Sequence, residues 1–259
     1  MIKPRIIPCL LIRDKGLVKT KKFKDYKYLG DPINAVKTFN EKLVDELVVI
    51  DIDATVKDKK LDLELIKKFS EEARMPLCYA GGVRKVADVK AIIELGVEKV
   101  GISYGALSNP SLVKEASKLV GSQSIVIILD VKKKFFGGYS VFTHNGTLDT
   151  GKKPEDLVIE MQNNGAGEII INSIDNDGMM TGYDHNLIKK IKNIIDIPLT
   201  ILGGAGKKED INKAIESFGL IGIAAGSLFV FKGKYHAVLI SYFSREEKEE
   251  FNEIIKRNN

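Results

Sequence analysis

The two halves of this chain repeat each other at an offset of about 120 residues, which is far longer than the period of a solenoid repeat. The matching segments are 48–53 with 170–175, Gly81-Gly82 with Gly203-Gly204, and 100–107 with 221–228. Each matching segment ends an apolar run or directly follows one. The repeat therefore predicts one domain built from two similar halves rather than an array of small units.

Short apolar runs alternate with amphipathic segments along the whole chain. Runs without polar alternation indicate strands buried on both faces of a parallel sheet. They are predicted at 6–12, 47–52, 77–80, 97–102, 124–129, 168–172, 199–202 and 220–225. Apolar residues three and four positions apart indicate helices. These are predicted at 32–42, 61–72, 85–95, 110–119, 154–163, 186–194, 208–217 and 235–243.

Eight strands alternating with helices favour an α/β fold, a closed (β/α)8 TIM barrel, over an open sheet. A length of 259 residues fits one such domain. We expect a single domain over residues 1–259, with half-barrels at about 1–120 and 121–243. The highly charged tail, residues 244–259, begins with Ser244 and Glu247 at the spacing of a capping box, which predicts one more surface helix.

Composition and charge argue against several classes of protein. The net charge of +5 is modest and suits a phosphorylated substrate or an acidic protein face. Tryptophan is absent, and no basic run interleaved with aromatic residues was recognised, so no nucleic-acid partner is expected. The apolar run 6–12 is too short for a signal peptide, and no run reaches the length of a membrane span. We therefore expect a cytoplasmic protein with no membrane partner.

The two cysteines, Cys9 and Cys78, both lie in apolar runs of strand length. Buried, reduced thiols are the expectation, and neither has the spacing of a metal ligand. No metal site and no cofactor are expected. None of the three histidines, His144, His185 and His236, stands at a predicted strand end, so we expect surface or loop roles for them.

Small residues follow paired strands in both halves of the chain. Bare backbone N–H groups at such strand ends suit a phosphate, and in a (β/α)8 barrel the phosphate site commonly follows strands seven and eight. The candidate residues are Gly82 and Ser103 in the first half, and Gly204, Ala205, Ala225, Gly226 and Ser227 in the second. Two such cups predict a substrate with a phosphate at each end. The alternative is that the glycines only allow close helix packing.

Many ordered motifs resemble the cyclase subunit of imidazole glycerol phosphate synthase, the HisF family. They include Arg5-Ile6-Ile7-x-Cys9-Leu10, Asp51-Ile52-Asp53-Ala54, Asp130, Thr150-Gly151, Gly165-Ala166-Gly167-Glu168, Ser173-Ile174-Asp175-x-Asp177-Gly178 and Gly203-Gly204-Ala205-Gly206. The resemblance implies a HisH-like glutaminase docked at the N-terminal face of the barrel. Ammonia would cross the barrel core and react at the other end with a bisphosphorylated ribulosyl substrate, and two aspartates would act as general acid and base.

The second of these aspartates is present as Asp130, but the first position holds Leu11. An isobutyl group cannot exchange a proton, and loss of a positioned acid or base typically costs about 10²–10⁴-fold in rate. Ser103-Tyr104 also stands where the family tends to have Asn-Thr, and a tyrosine there would intrude on a phosphate. The second cup matches the family.

Four charged residues at strand starts match the family's ring at the ammonia entrance: Arg5, Glu46, Lys99 and Glu168. The alternative is a salt-bridge plug of the kind that any barrel can carry. Asp45 and Glu98 lie nearby in sequence and could face a glutaminase.

The segment 13–31 is rich in lysine. It is expected to be either a solvated mobile loop or a lid over the mouth. In the lid, Lys19 matches the family's loop lysine and would reach a phosphate. By the same resemblance, Asp177 and Gly178 are candidate substrate-binding residues.

Three functional hypotheses follow. In the first, the chain conducts ammonia from a glutaminase for acetamidino modification of a surface-polysaccharide sugar, with a sugar amidotransferase as a candidate further partner, and no longer performs the usual cyclisation. In the second, it is a cyclase of histidine biosynthesis in which another group replaces the missing aspartate. In the third, it is a non-catalytic barrel that binds a phosphorylated small molecule and acts as a scaffold.

Overall fold

A computed structural model describes residues 3–258 and shows a closed barrel. Within that part of the chain, eight parallel strands form the barrel wall. They are β1 (Arg5–Arg13), β2 (Leu47–Asp51), β3 (Leu77–Ala80), β4 (Lys99–Ile102), β5 (Ile125–Lys133), β6 (Glu168–Ser173), β7 (Leu199–Leu202) and β8 (Gly222–Ala225). Each strand pairs with the next, and β8 pairs with β1. The predicted (β/α)8 TIM barrel is confirmed.

The main helices pack around this wall. They are α1 (Pro32–Glu41), α2 (Leu63–Glu72), α3 (Val86–Glu94), α4 (Ser111–Val120), α5 (Pro154–Asn163), α6 (His185–Lys192), α7 (Lys208–Phe218) and α8 (Arg245–Asn258). Asp31, Asp62 and Asp184 cap the first turns of α1, α2 and α6 through their side chains. Short helices, Tyr104–Ser108 and Ser227–Val230, directly follow β4 and β8.

The helix predicted at 235–243 is wrong. All of these residues are described, and they form no helix: Ala237–Val238 pairs antiparallel with Phe231–Lys232, and an extended segment follows. The apolar residues of that segment pack against the barrel instead. Tyr242 donates from its hydroxyl to the Ile6 carbonyl at 2.7 Å, and the ring centroid of Phe243 lies 5.0 Å from that of Phe251. Tertiary packing therefore overrides the helical spacing here.

The charged tail occupies the position of the eighth helix. Ser244 Oγ accepts from the Glu247 N–H at 3.3 Å, and the Glu247 carboxylate accepts from the Ser244 N–H at 2.9 Å. This is the predicted capping box, and α8 follows it directly. Phe251 and Ile255 bury the inner face of α8.

Two apolar layers form the core. The larger layer lies between strands and helices. The smaller one fills the barrel interior and contains Ile7, Cys9, Leu11, Val18, Val48, Cys78, Ala80, Val126, Ile128, Ile170, Leu202 and Ala224. Both cysteines are free and buried there, as predicted.

The segment after β1, predicted to be either a mobile loop or a lid, is a β-hairpin with strands Gly16–Lys21 and Lys24–Gly30. Its first strand pairs antiparallel with the end of β1. The long C-terminal part of β5 likewise forms a hairpin with Tyr139–Thr143. Both hairpins rise from the C-terminal end of the barrel. No helix among residues 3–258 is both long and apolar enough to cross a membrane.

Candidate functional site

A cavity open to solvent lies at the C-terminal ends of the strands. Its wall includes residues from both halves of the chain, together with the hairpin that follows β1. This is the end of a (β/α)8 barrel at which active sites are built. The cavity brings together the candidates Lys19, Gly82, Ser103, Asp130 and Asp177.

Asp130, in β5, is the titratable group best placed for proton transfer. Burial raises the pKa of its carboxyl to about 7; a hydrogen bond from Asn172 opposes this rise, and the negative charge of Asp177 adds to it. Asn172 Nδ2 donates to Asp130 Oδ1 at 3.0 Å. A carboxyl that titrates near neutral pH can serve as either acid or base.

The family's other aspartate position holds Leu11, which is buried in the cavity wall. Leu11 is in register with Ile50 on β2 and with Val18 on the first hairpin. The next residue on β2, Asp51, also lines the cavity. Its Oδ1 accepts from the N–H groups of Asp53 and Ala54 at 2.9 and 3.1 Å. Burial raises the pKa of Asp51 despite these bonds.

Lys19 and Asp177 form a buried ion pair beside the cavity. Lys19 Nζ lies 2.9 Å from Asp177 Oδ1, and Thr20 Oγ1 donates to Asp177 Oδ2 at 3.0 Å. The Lys22 N–H also donates to the Asp177 carbonyl at 2.9 Å. A side chain at Gly178 would lie 2.1 Å from the Thr20 carbonyl, so glycine allows the hairpin to seat there. Asp177 and Gly178 therefore anchor the first hairpin.

The second predicted cup is a set of buried small residues after β7 and β8: Gly204, Ala205, Ala225, Gly226 and Ser227. Ser227 Oγ is buried without a hydrogen-bond partner among the residues that the structure describes. A Cβ at Gly226 would lie 2.9 Å from Lys19 Cε, so the lysine passes directly over this glycine. A free hydroxyl and an ammonium beside small residues form a suitable environment for a phosphate.

The first cup is formed around Gly82 and Ser103. Gly82 adopts a φ of +74°, and a Cβ there would lie 2.9 Å from that of Ala54. Ser103 precedes the short helix that begins with Tyr104. The Tyr104 ring meets the ring of His144 edge to face, with 4.8 Å between their centroids.

Four charged side chains form a closed ring at the other end of the barrel. Arg5 Nη1 lies 2.5 Å from Glu46 Oε2, and Arg5 Nη2 lies 2.8 Å from Glu168 Oε1. Lys99 Nζ lies 2.8 Å from Glu46 Oε1 and 2.9 Å from Glu168 Oε2. Two cations and two anions alternate, so the ring carries no net charge. The four residues predicted to meet at this end do meet.

The ring is partly closed to solvent, and its charges stabilise one another. Burial disfavours the charged form of Glu168, but the Arg5 hydrogen bond and the charges of Arg5 and Lys99 lower its pKa overall. Burial likewise opposes charge on Lys99, but the two glutamates raise its pKa. A Cβ at Gly222 would lie 1.9 Å from Thr200 Oγ1, so glycine leaves room for the threonine beside the ring.

The two other carboxylates expected near this face have partners within the chain. Asp45 Oδ2 accepts from the Ile6 N–H at 3.0 Å and from the Tyr242 hydroxyl at 3.1 Å, and Asp45 also pairs with Lys248. Glu98 accepts from the Leu77 N–H at 2.8 Å. Asp45 therefore helps to hold the C-terminal segment against the barrel.

No cluster of three or more histidine, cysteine or acidic side chains among residues 3–258 is arranged to hold a metal ion. Burial raises the pKa of the Cys9 thiol to about 12, and that of Cys78 is also raised, so both interior thiols are uncharged at neutral pH.

Residues 5–236 match the family described as "Histidine biosynthesis protein". The chain belongs to this family. It is 50% identical over 255 residues to "Putative imidazole glycerol phosphate synthase subunit hisF3" of Vibrio vulnificus, covering 98% of each chain. It is also 50% identical over 250 residues to "Putative imidazole glycerol phosphate synthase subunit HisF" of Leptospira borgpetersenii, covering 96% of this chain and 98% of the relative.

Identity to the "Imidazole glycerol phosphate synthase subunit HisF" of Natranaerobius thermophilus is 36% over 249 residues, covering 96% of this chain and 99% of that one. The resemblance to HisF is confirmed, and the chain is a HisF-type protein.

The sequence reasoning assigned no role in this HisF-type cavity to three of the residues that line it: Asp51, Asn172 and His144. Asn172 stands one residue before the end of β6, in the segment 170–175 that matches 48–53 in the internal repeat. That match marks this strand end as a place where site residues are expected. His144 belongs to a loop, as expected, but this loop reaches over the mouth. No local signal identifies it, because the hairpin that carries it was not predicted.

Proposed function

We propose that this HisF-type chain is the ammonia-conducting subunit of a glutamine amidotransferase complex and does not perform the usual cyclisation. A HisH-like glutaminase would dock on the N-terminal face of the barrel, around the ring of Arg5, Glu46, Lys99 and Glu168. The observation that carries the proposal is the contrast between this complete ring and Leu11 at the opposite end.

The interior chemistry favours ammonia over ammonium. Beyond the ring, the barrel is filled with apolar side chains and protonated thiols. A buried cation without a partner is strongly disfavoured there, whereas a small neutral molecule avoids that cost. Passage requires the ring side chains and a few interior side chains to move aside. The ring can exchange partners as it opens because each cation already contacts both anions.

The acceptor in this proposal is an N-acetylated sugar of a surface polysaccharide, which a third protein converts to the acetamidino form. The third protein activates the acetyl carbonyl oxygen with a nucleoside triphosphate; ammonia supplied by this barrel adds to the carbon, loses a proton, and the oxygen leaves with the activating group. The loss of a catalytic carboxylate at Leu11 supports an acceptor outside the barrel. The 50% identity to the hisF3 protein, against 36% to the Natranaerobius thermophilus HisF, is consistent with a divergent branch.

The test uses the purified complex of this chain with its glutaminase. In the Lys99→Met variant, glutamine hydrolysis should continue, but less of its ammonia should appear in the acceptor product and more should appear in bulk solution. Lys90→Met is the matched control, because Lys90 lies on α3 and forms an exposed ion pair with Glu94, at 3.6 Å. Unchanged coupling in Lys99→Met would count against a route through the ring.

A second candidate is the cyclase of imidazole glycerol phosphate synthase, and the proton chemistry of the mouth favours it. Burial of the carboxyl raises the pKa of Asp130 to about 7, and Asp51 offers a second, partly buried carboxyl in the same cavity. The assay is ammonia-dependent turnover of the bisphosphorylated ribulosyl substrate. Rapid turnover by the unmodified chain would reject the first proposal. Turnover that appears only in the Leu11→Asp variant would support the first proposal.

A further inference from the structure

Two hairpins stand on opposite sides of the cavity. The first, residues 16–30, follows β1; the second, residues 131–143, is formed by the end of β5 and its partner strand. Strands β1 and β5 are four places apart in a closed wall of eight, so the hairpins face each other across the mouth. The tip near Phe135 is five residues beyond Asp130, a rise of about 16 Å.

The positive charge of the chain is concentrated on these two mouth hairpins. Their exposed lysines are Lys21, Lys22, Lys24, Lys27, Lys132, Lys133 and Lys134, and Asp25 is the one carboxylate among residues 16–30 and 131–143. Their excess of six positive charges exceeds the net charge of +5 for the entire chain. Of these seven, only Lys133 pairs with a carboxylate among the described residues, at 3.3 Å from Asp184. The mouth therefore presents a basic surface.

Aromatic side chains accompany this charge. Phe135 and Phe136, at the tip of the second hairpin, are 96% and 97% exposed. Across the mouth, Tyr26 and Tyr28 are 55% and 65% exposed. Aromatic residues are enriched in protein interfaces, where they fill pockets on the partner. Two adjacent, fully exposed phenylalanines have no function in the packing of this barrel.

The bases of both hairpins are fixed. Asp177 holds the first through Lys19 and Thr20, and the Asp184 carboxylate holds the second through the Tyr139 hydroxyl at 3.0 Å. A surface that is already ordered loses less entropy on binding.

We propose that the mouth hairpins dock an acidic protein, which covers the cavity and receives the ammonia. This inference rests on the proposed function and names the contact surface for the third protein. The six mouth lysines other than Lys133 are complemented by carboxylates on a partner, and the tip phenylalanines by an apolar pocket. A lid made by the partner keeps ammonia from bulk water, in which it would become ammonium.

Mixed charge at the same end favours a protein over an anionic membrane. The side chains of Asp14 and Asp58 are 62% and 84% exposed in the loops after β1 and β2, and they form surface ion pairs with Lys57, Lys59 and Arg84. A bilayer of one charge sign would face these carboxylates as well as the lysines, whereas a folded partner can match both.

The experiment uses the full chain in complex with its glutaminase, with p-benzoylphenylalanine in place of Phe136. Illumination in cells should crosslink the complex to a third protein, which is then identified and purified. That protein should consume ammonia in an amidination reaction and should bind the unmodified complex more weakly as salt increases.

The double variant Phe135→Ser/Phe136→Ser should reduce glutamine-dependent product by about tenfold or more, as expected for an aromatic anchor at an interface. Glutamine hydrolysis and ammonium-driven product should remain within about twofold. Lys134→Glu should weaken binding of the third protein in the same direction. Leu119→Ser is the matched control, because Leu119 is 52% exposed on α4, away from the mouth hairpins.

Several results would overturn the proposal. One is a crosslink to the glutaminase or to no third protein. Another is binding to phosphatidylglycerol vesicles or to oligo-dT that the double variant abolishes, which would identify a membrane or a nucleic acid as the occupant. If Lys99→Met uncouples ammonia transfer while the double variant has no effect, the docking inference fails alone. If neither variant affects coupling, the proposed function fails too.

Discussion

Replacing Lys99 by methionine tests whether the ring is a buried, charge-balanced network. The change removes contacts of 2.8 and 2.9 Å and leaves two glutamates, with side chains 5% and 6% exposed, sharing Arg5 alone. Breaking a buried pair typically costs 3–5 kcal/mol, and the remaining arginine places this case at about 3 kcal/mol. For a chain of this size the melting temperature should fall by about 6–12 °C.

The pH dependence of the free energy of unfolding shows when the ionised Glu168 contributes to stability. The ordinary glutamate pKa is 4.5, and the ring holds that of Glu168 lower in the folded protein. Its contribution to stability is therefore complete above about pH 5 and disappears as the pH falls through the folded pKa. In Lys99→Met one carboxyl can take up a proton, so the difference from the unmodified chain should shrink on acidification.

The assay is urea unfolding followed by circular dichroism at pH 7 and pH 5. Adding Glu168→Gln to Lys99→Met restores neutrality and should recover a large part of the loss. Lys90→Met, which breaks an exposed pair on α3, should cost less than about 0.5 kcal/mol. If Lys99→Met costs no more than Lys90→Met, the reasoning about a buried ring is refuted.

Three further predictions concern the mouth and the tail. Burial raises the folded pKa of Asp130 to about 7, so the folded chain binds an extra proton between about pH 4 and 7. Relative to Asp130→Asn, its free energy of unfolding should therefore fall as the pH rises, by up to about 1 kcal/mol per pH unit in urea titrations. Parallel curves for the two proteins would contradict this. In Gly226→Ala the new Cβ would lie 2.9 Å from Lys19 Cε, so the free energy of unfolding should fall by about 1–2 kcal/mol in thermal unfolding. An unchanged melting temperature would show that Lys19 moves freely. Ser244→Ala removes the cap of α8 and should cost about 1 kcal/mol by the same measurement, whereas no loss would mean that the α8 cap does not contribute.

The barrel could be predicted because its strands carry a strong local signal. Continuous apolar runs such as β3 and β7 were located to the residue, and the repeat marked equivalent strand ends in the two halves. The segment 235–243 could not be predicted, because its apolar residues are spaced as in a helix but pack against the barrel in an extended conformation. What decides its conformation is contact with β1 and α8, which are distant in sequence.

The candidate site was predicted in part. The ring and Asp130 were proposed because they match the motifs of the HisF family at recognisable strand starts and strand ends. Asn172 and His144 were not found in this way, because the contact of Asn172 with Asp130 depends on pairing between β5 and β6, and His144 follows the second hairpin, which has no clear signal in the sequence. The lysine-rich segment 13–31 was predicted to be a solvated loop or a lid, whereas the structure buries Lys19 of this segment in an ion pair with Asp177.

Asp177 binds Lys19 through one carboxylate oxygen and Thr20 through the other, so the cavity and the first hairpin share a single anchor. A phosphate that reaches the small residues around Gly226 meets the same ammonium and competes with Asp177 for it. Anion binding in the cavity and the position of the first hairpin are consequently coupled, because an anion that draws Lys19 away from Asp177 weakens a contact that holds the hairpin.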